Sequence, residues 1–229
     1  MQIELEEIKP FRFKMFTYIW PEHEKYRQSI MDYIDECSEK KEDVHQNYAV
    51  NLKQKLFESE FNFLTSSNPS VEKLHEFLCI SSSKVLGDYN HLGFTDEHDY
   101  AQIIKESWCH RTEKYGIHDY HLHPNCSWGL IYCVDPGDSS TENGGVNTFQ
   151  LFHPGAMYDD GLTAYMYGEN CFFTPHWHVP EAGQVLLFPT FLYHNASLYK
   201  GDKVRYIIGA NLTMNVNKVI FRPHETRYD

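Results

Sequence analysis

The C-terminal half of the chain is a succession of short apolar segments separated by turn-forming residues, and this pattern restricts the fold more than any other feature. Clusters such as DPGDSSTENGG and YKGDK divide the segments, and their Gly, Pro, Asp and Asn residues favour turns. Closely spaced strands without intervening helices predict an antiparallel β-barrel or sandwich. The candidate strands are AQIIKESWCHR, SWGLIYCV, VNTFQLFH, CFFTPHWHV, GQVLLFP, VRYIIGANL and KVIFRP.

Residues 1–100 predict supporting elements for this β-rich core. The segment IELEEIKPFRFKMFTYIW suits one or two strands broken at Pro10. A helix is expected from Pro21 and another from Pro69 and Ser70, because apolar residues recur at helical spacing after each. We therefore predict a single domain over residues 1–229, with support elements in 1–100 and the β core in 101–222. The two helical stripes consist of Tyr26, Ile30, Tyr33, Ile34 and Cys37, and of Leu74, Phe77 and Leu78.

Charge and composition exclude some classes of partner. The chain has 32 acidic and 20 basic side chains, a net charge of -12 and no long basic run, so nucleic acid is a poor candidate. No apolar run approaches the roughly 18–20 residues that cross a bilayer, and the start, MQIELEEIKP, is acidic, unlike a secretory signal. The 6 cysteines are scattered without a CxxC pair, which indicates reduced thiols. These features predict a cytoplasmic protein without membrane contact, and they leave a homodimer open.

A first group of chemically active residues lies in the segment HDYHLHPN. If this segment is extended, His121 and His123 project to the same side and Leu122 to the other. Two adjacent imidazoles make half of a metal site. The alternative is a pair of polar side chains at a barrel mouth.

A second group lies in GQVLLFPTFLYHNASLYKGDKVRYIIGANL. Residues 185–188 form an apolar strand that runs into Pro189 and a short connection, which delivers His194. Arg205 then opens another apolar strand, where a buried guanidinium is costly unless an anion meets it. The alternative is a strand-end arginine paired with Asp202, Glu181 or solvent.

Together the two groups have the composition of an oxygen-activating iron site. Three ligands on one side of an octahedral iron leave positions for a bidentate acid and for dioxygen. An arginine grips the far carboxylate of a dicarboxylic acid with a planar fork that lysine lacks.

These segments resemble the 2-oxoglutarate and Fe(II)-dependent oxygenases, in particular the group common in marine phages and bacteria. The likeness covers about residues 104–212 and is carried by SWCHRTEKYGIHDYHLHPNCSWGLIYCV, PEAGQVLLFPTFLYHNASL and KVRYIIGANL. The resemblance implies a mainly β fold with flanking helices, built on a double-stranded β-helix (a jelly-roll, cupin-like barrel). It also implies Fe(II) as cofactor and 2-oxoglutarate as co-substrate.

The resemblance assigns roles residue by residue. His121 would be the proximal iron ligand, His194 the distal ligand, and Arg205 the partner of the C5 carboxylate of 2-oxoglutarate. Position 123 departs from the commonest pattern, His-x-Asp or His-x-Glu, because it holds a histidine. Either His123 is a third ligand, the interpretation we favour, or two histidines hold the iron and water fills the gap. Further candidates for contacts with the co-substrate or with a ligand's second ring nitrogen are Asn125, Tyr132 and Asn211.

The expected activity is a dioxygenase that hydroxylates an amino acid, peptide or small molecule and releases succinate and carbon dioxide. One alternative is a cupin-type three-histidine dioxygenase or isomerase that uses no 2-oxoglutarate. Another is a non-catalytic metal- or ligand-binding β-barrel. His176 and His178 could line the substrate entrance or compete as ligands, and residues 153–170 have the composition of a lid.

Overall fold

A computed structural model describes residues 14–40, 55–89, 100–151 and 175–216 of the chain. The predicted strand KVIFRP, Cys171 and the predicted lid, residues 153–170, lie outside the described residues. The helices are α1 (His23–Lys40) and α2 (Pro69–Tyr89). The strands are β1 (Phe16–Ile19), β2 (Leu56–Glu58), β3 (Tyr100–Thr112), β4 (His118–His121), β5 (Trp128–Asp135), β6 (Asn147–Leu151), β7 (His176–His178), β8 (Gln184–Pro189), β9 (Leu192–Ala196) and β10 (Arg205–Val216).

Within the described ranges, the strands form two antiparallel sheets. The larger sheet has the order β1-β8-β5-β10-β3-β2, and the smaller has the order β4-β9-β6-β7. The sheets pack face to face through Phe149 and Leu192 from the smaller sheet and Leu186 and Phe188 from the larger one. The predicted fold class is confirmed: the chain is mainly β with flanking helices and has the double-stranded β-helix, or jelly-roll, architecture.

The larger sheet separates an apolar layer from the layer that contains the candidate site. Along β10, Tyr206, Ile208 and Ala210 face the helices and belong to the main hydrophobic core. The intervening residues Arg205 and Ile207 line a cavity on the other face. This alternation follows from the two-residue period of a strand. The sequence VRYIIGANL thus packs one face against helices and presents the other to the site.

The helices cover the outer face of the larger sheet. α1 buries Ile30 and Ile34, both members of the predicted stripe. α2 begins at Pro69 as predicted, and the side-chain oxygen of Asn68 accepts hydrogen bonds from the backbone N–H groups of Ser70 (3.0 Å) and Val71 (3.2 Å). That capping interaction satisfies donors that the first turn leaves without a partner. Neither helix is long and apolar enough to span a membrane, and the same holds for every helix among the described residues.

The residues around His194 form a strand that the list of candidate strands did not include. The short connection expected after Pro189 is present and leads into this strand, β9, which carries His194 and pairs with both β4 and β6. Leu192 and His194 are buried and Tyr193 is half-buried, as expected for alternating faces. Thr190 and Phe191 form the tight turn between β8 and β9, which is this connection.

Candidate metal and co-substrate site

His121, His123 and His194 come together between the two sheets. His121 and His194 are direct partners across β4 and β9, and the centroids of their rings lie 4.2 Å apart. The Nε2 atoms of His121 and His123 are 2.9 Å apart. One ring nitrogen from each of the three residues lies within 4.8 Å of the others. The sequence-predicted convergence of these side chains is therefore present.

The hydrogen bonds of these rings fix which nitrogen carries the proton. Nδ1 of His121 donates to the backbone oxygen of Asp119 (2.8 Å), and Nδ1 of His194 donates to that of Leu192 (2.9 Å). Nδ1 of His123 donates to the side-chain oxygen of Asn211 (2.6 Å). In the neutral imidazoles, each Nε2 is then an acceptor with a free lone pair.

The facing lone pairs fit a cation. Two unprotonated nitrogens 2.9 Å apart repel each other unless something positive lies between them or beside them. Two ligands at right angles on a metal, each about 2.1 Å from it, are about 3.0 Å apart. The spacing of the Nε2 atoms of His121 and His123 therefore matches that of adjacent ligands on one ion.

Burial keeps these histidines neutral. Burial, together with a smaller effect of the neighbouring His121, lowers the pKa of His194 to about 3 and that of His123 to about 4. The pKa of His121 is also lowered, chiefly by burial. Neutral imidazole is the form that binds metals, so the ligand atoms do not have to lose protons near neutral pH.

Aromatic rings hold the three imidazoles in place. The ring of Phe188 packs edge-on against His194, with centroids 4.6 Å apart, and Phe149 stacks on the same imidazole at 5.6 Å. Trp108 contacts His123 edge-on at 5.4 Å. The sequence did not single out Phe149 or Phe188 for this role. In the structure Trp108 lies beside the candidate ligands.

Arg205 lies in the same cavity, as the sequence suggested. It is 2% exposed, and no carboxylate among the described residues lies within ion-pair distance of it. Asp202 instead pairs with Lys114 at 2.7 Å, so the predicted alternative partner is engaged elsewhere. Burial lowers the pKa of Arg205 to about 10, which leaves the guanidinium charged at neutral pH.

Polar atoms without partners surround this guanidinium. Among the described residues, Nε of Arg205, Nδ2 of Asn147 and Oγ1 of Thr112 are buried without a hydrogen-bond partner. Arg205 and Thr112 are direct cross-strand neighbours, and Asn147 lines the same cavity as Arg205. Buried donors without acceptors are costly, and a carboxylate would satisfy several of them at once. Asn147 and Thr112 were missed at the sequence level, because an isolated Asn or Thr in a strand gives no signal.

Of the other sequence-predicted residues, one joins the site and two do not. Asn211 contacts His123 as described above. Asn125 is exposed, with a left-handed φ of 61° in the turn after His123. Tyr132 faces the helices, where its hydroxyl hydrogen-bonds with Nδ1 of His23 (2.7 Å). The structure thus does not bring Asn125 or Tyr132 into the cavity.

The HWH pair lies on β7. This strand and β4 are the two opposite edges of the smaller sheet. Nε2 of His178 is hydrogen-bonded to Gln184 at 2.7 Å, and His176 is exposed. Neither belongs to a candidate metal cluster among the described residues. Among the described residues, His176 and His178 therefore do not compete with His194 as metal ligands.

Two cavities meet at the three histidines. The inner one contains Arg205 and Asn147 and has a volume of about 30 Å³. The outer one has a volume of about 390 Å³ and is lined by apolar and acidic side chains, including Phe61, Leu122 and Glu106. His121 and His123 line both. A metal at the three histidines would face a basic inner cavity and a wider outer one.

A jelly-roll whose sheets enclose three convergent imidazoles and a buried arginine defines a candidate metal-dependent enzyme of the double-stranded β-helix class. The family model described as "Putative 2OG-Fe(II) oxygenase" matches residues 106–211, which include all of these side chains. The matched segment, just under half of the chain, is similar to the 2-oxoglutarate and Fe(II)-dependent oxygenases, which confirms the resemblance found in the sequence. Fe(II) and 2-oxoglutarate are accordingly the metal and co-substrate that the matching family implies.

Solved structures of this class share the fold at low sequence identity. A prolyl hydroxylase from Trichoplax adhaerens, solved with a hypoxia inducible factor peptide, has a TM-score of 0.55 and 12% identity, covering 87% of this chain and 83% of that one. AviO1 from Streptomyces viridochromogenes Tue57 has a TM-score of 0.55 and 14% identity, covering 86% and 89%.

A third structure with this fold belongs to an enzyme with a different activity. SnoN, a non-heme alpha ketoglutarate dependent epimerase from nogalamycin biosynthesis, has a TM-score of 0.56 and 10% identity, covering 82% of this chain and 73% of that one. No curated protein sequence matches the chain. The shared fold is therefore compatible with more than one reaction.

Proposed function

We propose that the protein is an Fe(II)- and 2-oxoglutarate-dependent dioxygenase that hydroxylates an amino acid, a peptide or a small molecule. The observation that carries this proposal is the placement of three Nε2 lone pairs next to a buried, charged arginine whose neighbours include buried donors without partners. When bound, the iron and 2-oxoglutarate supply oxygen activation, coupled to conversion of the co-substrate to succinate and carbon dioxide.

His121, His123 and His194 are the proposed iron ligands. A three-histidine set is favoured over a two-histidine set. The Nε2 atoms of His121 and His123 are 2.9 Å apart, which is the spacing of adjacent ligands on one metal ion. Asn211 orients the His123 ring, and its own orientation is fixed because its amide donates to Glu106 at 2.8 Å. Such contacts hold a ligand's ring and tautomer in place.

Arg205, Asn147 and Thr112 are the proposed partners of the outer carboxylate of 2-oxoglutarate. The guanidinium offers a planar fork, and the amide and hydroxyl add donors from two other strands. The inner cavity is small, at about 30 Å³, so binding of a five-carbon diacid requires the side chains around Arg205 to shift.

The outer cavity is the proposed substrate site. Its volume of about 390 Å³ suits a small molecule or one extended side chain of a peptide. Hydroxylation is proposed because a prolyl hydroxylase is among the proteins with this fold, and the reaction needs only a C–H bond held near the metal. No described residue of this cavity is a lysine or arginine, so the site is not suited to a polyanion.

The test is an anaerobic titration of the full chain with Fe(II) and then with 2-oxoglutarate. We expect a visible charge-transfer band when the co-substrate chelates the metal. The band should be lost in His194→Ala, should need far more 2-oxoglutarate in Arg205→Ala, and should persist in the control His178→Ala. Loss of the band in His123→Ala would support the three-histidine set, and an unchanged band would favour two histidines with water.

Succinate formation then separates the alternatives. In air, 2-oxoglutarate turnover with release of succinate would support the proposal. A cupin-type dioxygenase or isomerase would consume its substrate without succinate, and a non-catalytic barrel would bind metal without oxygen uptake. Binding of Fe(II) without any effect of 2-oxoglutarate on the spectrum would overturn the proposed role of Arg205.

A further inference from the structure

A second cluster of metal-binding side chains lies beside the three histidines. Glu58, His110 and His118 each place one ligand atom within 4.8 Å of the others. Oε2 of Glu58 lies 2.6 Å from Nε2 of His110 and 3.6 Å from Nε2 of His118. Glu58 and His110 are each 6% exposed. None of the three is among the proposed iron ligands.

Three strands bring this cluster together. Glu58 ends β2 and is the direct cross-strand partner of His110 on β3. His118 begins β4, where an irregular register between His118 and His121 lets both rings face inward although they are three residues apart. The ring centroids of His118 and His121 are 4.4 Å apart, so the two clusters adjoin. Glu58 lies outside the segment that matches the family model, residues 106–211.

The geometry of the cluster includes more than the hydrogen bond of 2.6 Å that joins Glu58 and His110. A carboxylate removed from water is stable only when it is paired or coordinates a cation. Nε2 of His118 is too far from Glu58, at 3.6 Å, for a hydrogen bond, although its ring is directed at this group. Ligand atoms about 2.1 Å from a tetrahedral ion are roughly 3.4 Å apart. The two measured distances, 2.6 and 3.6 Å, bracket that value.

The cluster also has an open side. Glu58 and His118 line the outer cavity of about 390 Å³, together with the candidate ligands His121 and His123. A metal held by three protein groups would thus have its remaining position directed at the proposed substrate site. Three protein ligands with one open position characterise catalytic rather than structural metal sites.

We propose that Glu58, His110 and His118 form a second site for a divalent first-row transition-metal ion, distinct from the three-histidine site and open to the outer cavity. Two imidazoles and one carboxylate match the donors that such ions accept. An ion there carries an open coordination position for an oxygen or nitrogen donor of a molecule in the cavity.

Cobalt(II) binding to the full chain, after removal of metals with a chelator, tests the second site. Bound cobalt is counted by elemental analysis after equilibrium dialysis and followed by its visible d–d absorption. We expect two equivalents in the wild type and one in Glu58→Gln. That variant keeps the size of the side chain and an oxygen that accepts from His110. His194→Ala should also bind one equivalent, and the double variant none.

The outcomes separate this inference from the proposed function. Retention of two equivalents in Glu58→Gln, or a single wild-type equivalent that only His194→Ala removes, would overturn the second site and leave the iron site intact. A single equivalent that only Glu58→Gln removes would support the Glu58 site and contradict the three-histidine site. Far-UV circular dichroism and the melting temperature verify that each variant is folded. His178→Ala, a histidine outside both clusters, should bind as the wild type does.

Discussion

Asn211 accepts a hydrogen bond of 2.6 Å from Nδ1 of His123 and donates one of 2.8 Å to Glu106. The amide therefore connects a carboxylate on β3 to a candidate ligand in the loop after β4. Because the NH₂ group faces Glu106, the amide oxygen must face the imidazole, and this fixes the proton of His123 on Nδ1. A side chain on β10 thus sets the metal-binding form of the ring.

Replacing Asn211 should weaken metal binding without removing a ligand. We expect Asn211→Leu to reduce Fe(II) or cobalt affinity by about 10–100-fold, the range typical of residues that orient a ligand. Asn211→Asp keeps an acceptor for Nδ1 and should retain more affinity than the leucine variant. Equilibrium dialysis measures both. Equal affinity in Asn211→Leu and the wild type would mean that the hydrogen bond does not position the imidazole.

Local pattern predicted most of the described strands, whereas the resemblance to a known family assigned the ligand roles. The apolar character of VRYIIGANL predicts a strand that buries Arg205, and the HxH spacing predicts that His121 and His123 face together. The structure places Arg205 in the buried inner cavity and the Nε2 atoms of His121 and His123 2.9 Å apart. Asn211 was named only because it lies inside a segment that carries the family resemblance.

The second cluster could not be predicted in this way. His118 and His121 are three residues apart, and a regular strand would place them on opposite faces; only the register irregularity in β4 brings both inward. Glu58 lies in a polar segment without a clear period, and its position depends on the pairing of β2 with β3. Strand pairing between distant segments is not encoded in local periodicity, so Glu58, Thr112 and Asn147 had no sequence signal.

Arg205 should lower the stability of the metal-free protein, although it is the proposed partner of 2-oxoglutarate. Its guanidinium is buried, lacks an acidic partner among the described residues and has an Nε without a hydrogen bond. Replacing a buried ion pair with apolar groups of similar volume is often neutral or stabilising by about 1–4 kcal/mol, and a buried charge without an acidic partner is more costly than a paired one. We expect Arg205→Met to raise the melting temperature of the metal-free protein while weakening 2-oxoglutarate binding by about 100-fold.

Arg111→Met is the matched control for this prediction. Arg111 pairs with Asp35 at 2.8 Å and Glu113 at 2.6 Å, away from the cavity. Its replacement should lower the melting temperature slightly and leave 2-oxoglutarate affinity unchanged. Differential scanning fluorimetry and co-substrate titration measure the two quantities. A lower melting temperature in Arg205→Met would indicate that the guanidinium is satisfied in the ligand-free protein.

Metal affinity should depend only weakly on pH in the mildly acidic range. Three imidazoles with an ordinary pKa of about 6.5 would lose affinity roughly fifty-fold between about pH 7.5 and about pH 6.0, because protons compete for the ligand atoms. Here burial lowers the pKa of His123 to about 4 and of His194 to about 3, so both stay unprotonated through that range. We expect a change below about threefold for the three-histidine site in Glu58→Gln. A steep loss of cobalt binding near pH 6.5 would contradict the depressed pKa values.

Gly129 should be required for the position of His194. Gly129 and Phe188 are direct cross-strand partners, and a Cβ atom on Gly129 would lie 2.3 Å from the Phe188 ring. That ring packs on His194, with centroids 4.6 Å apart. Because the ring lies in a closely packed layer, Gly129→Ala must displace it, at a cost of about 1–3 kcal/mol.

The displacement should reach the metal site through the imidazole. We expect Gly129→Ala to lower both the free energy of unfolding and the cobalt affinity. Phe188→Leu, added to Gly129→Ala, removes the clash and should restore part of the stability. Urea denaturation and cobalt titration of the two single variants and the double variant measure the coupling. Strictly additive effects would show that Gly129 and Phe188 act independently, and that the glycine does not serve to seat the ring against His194.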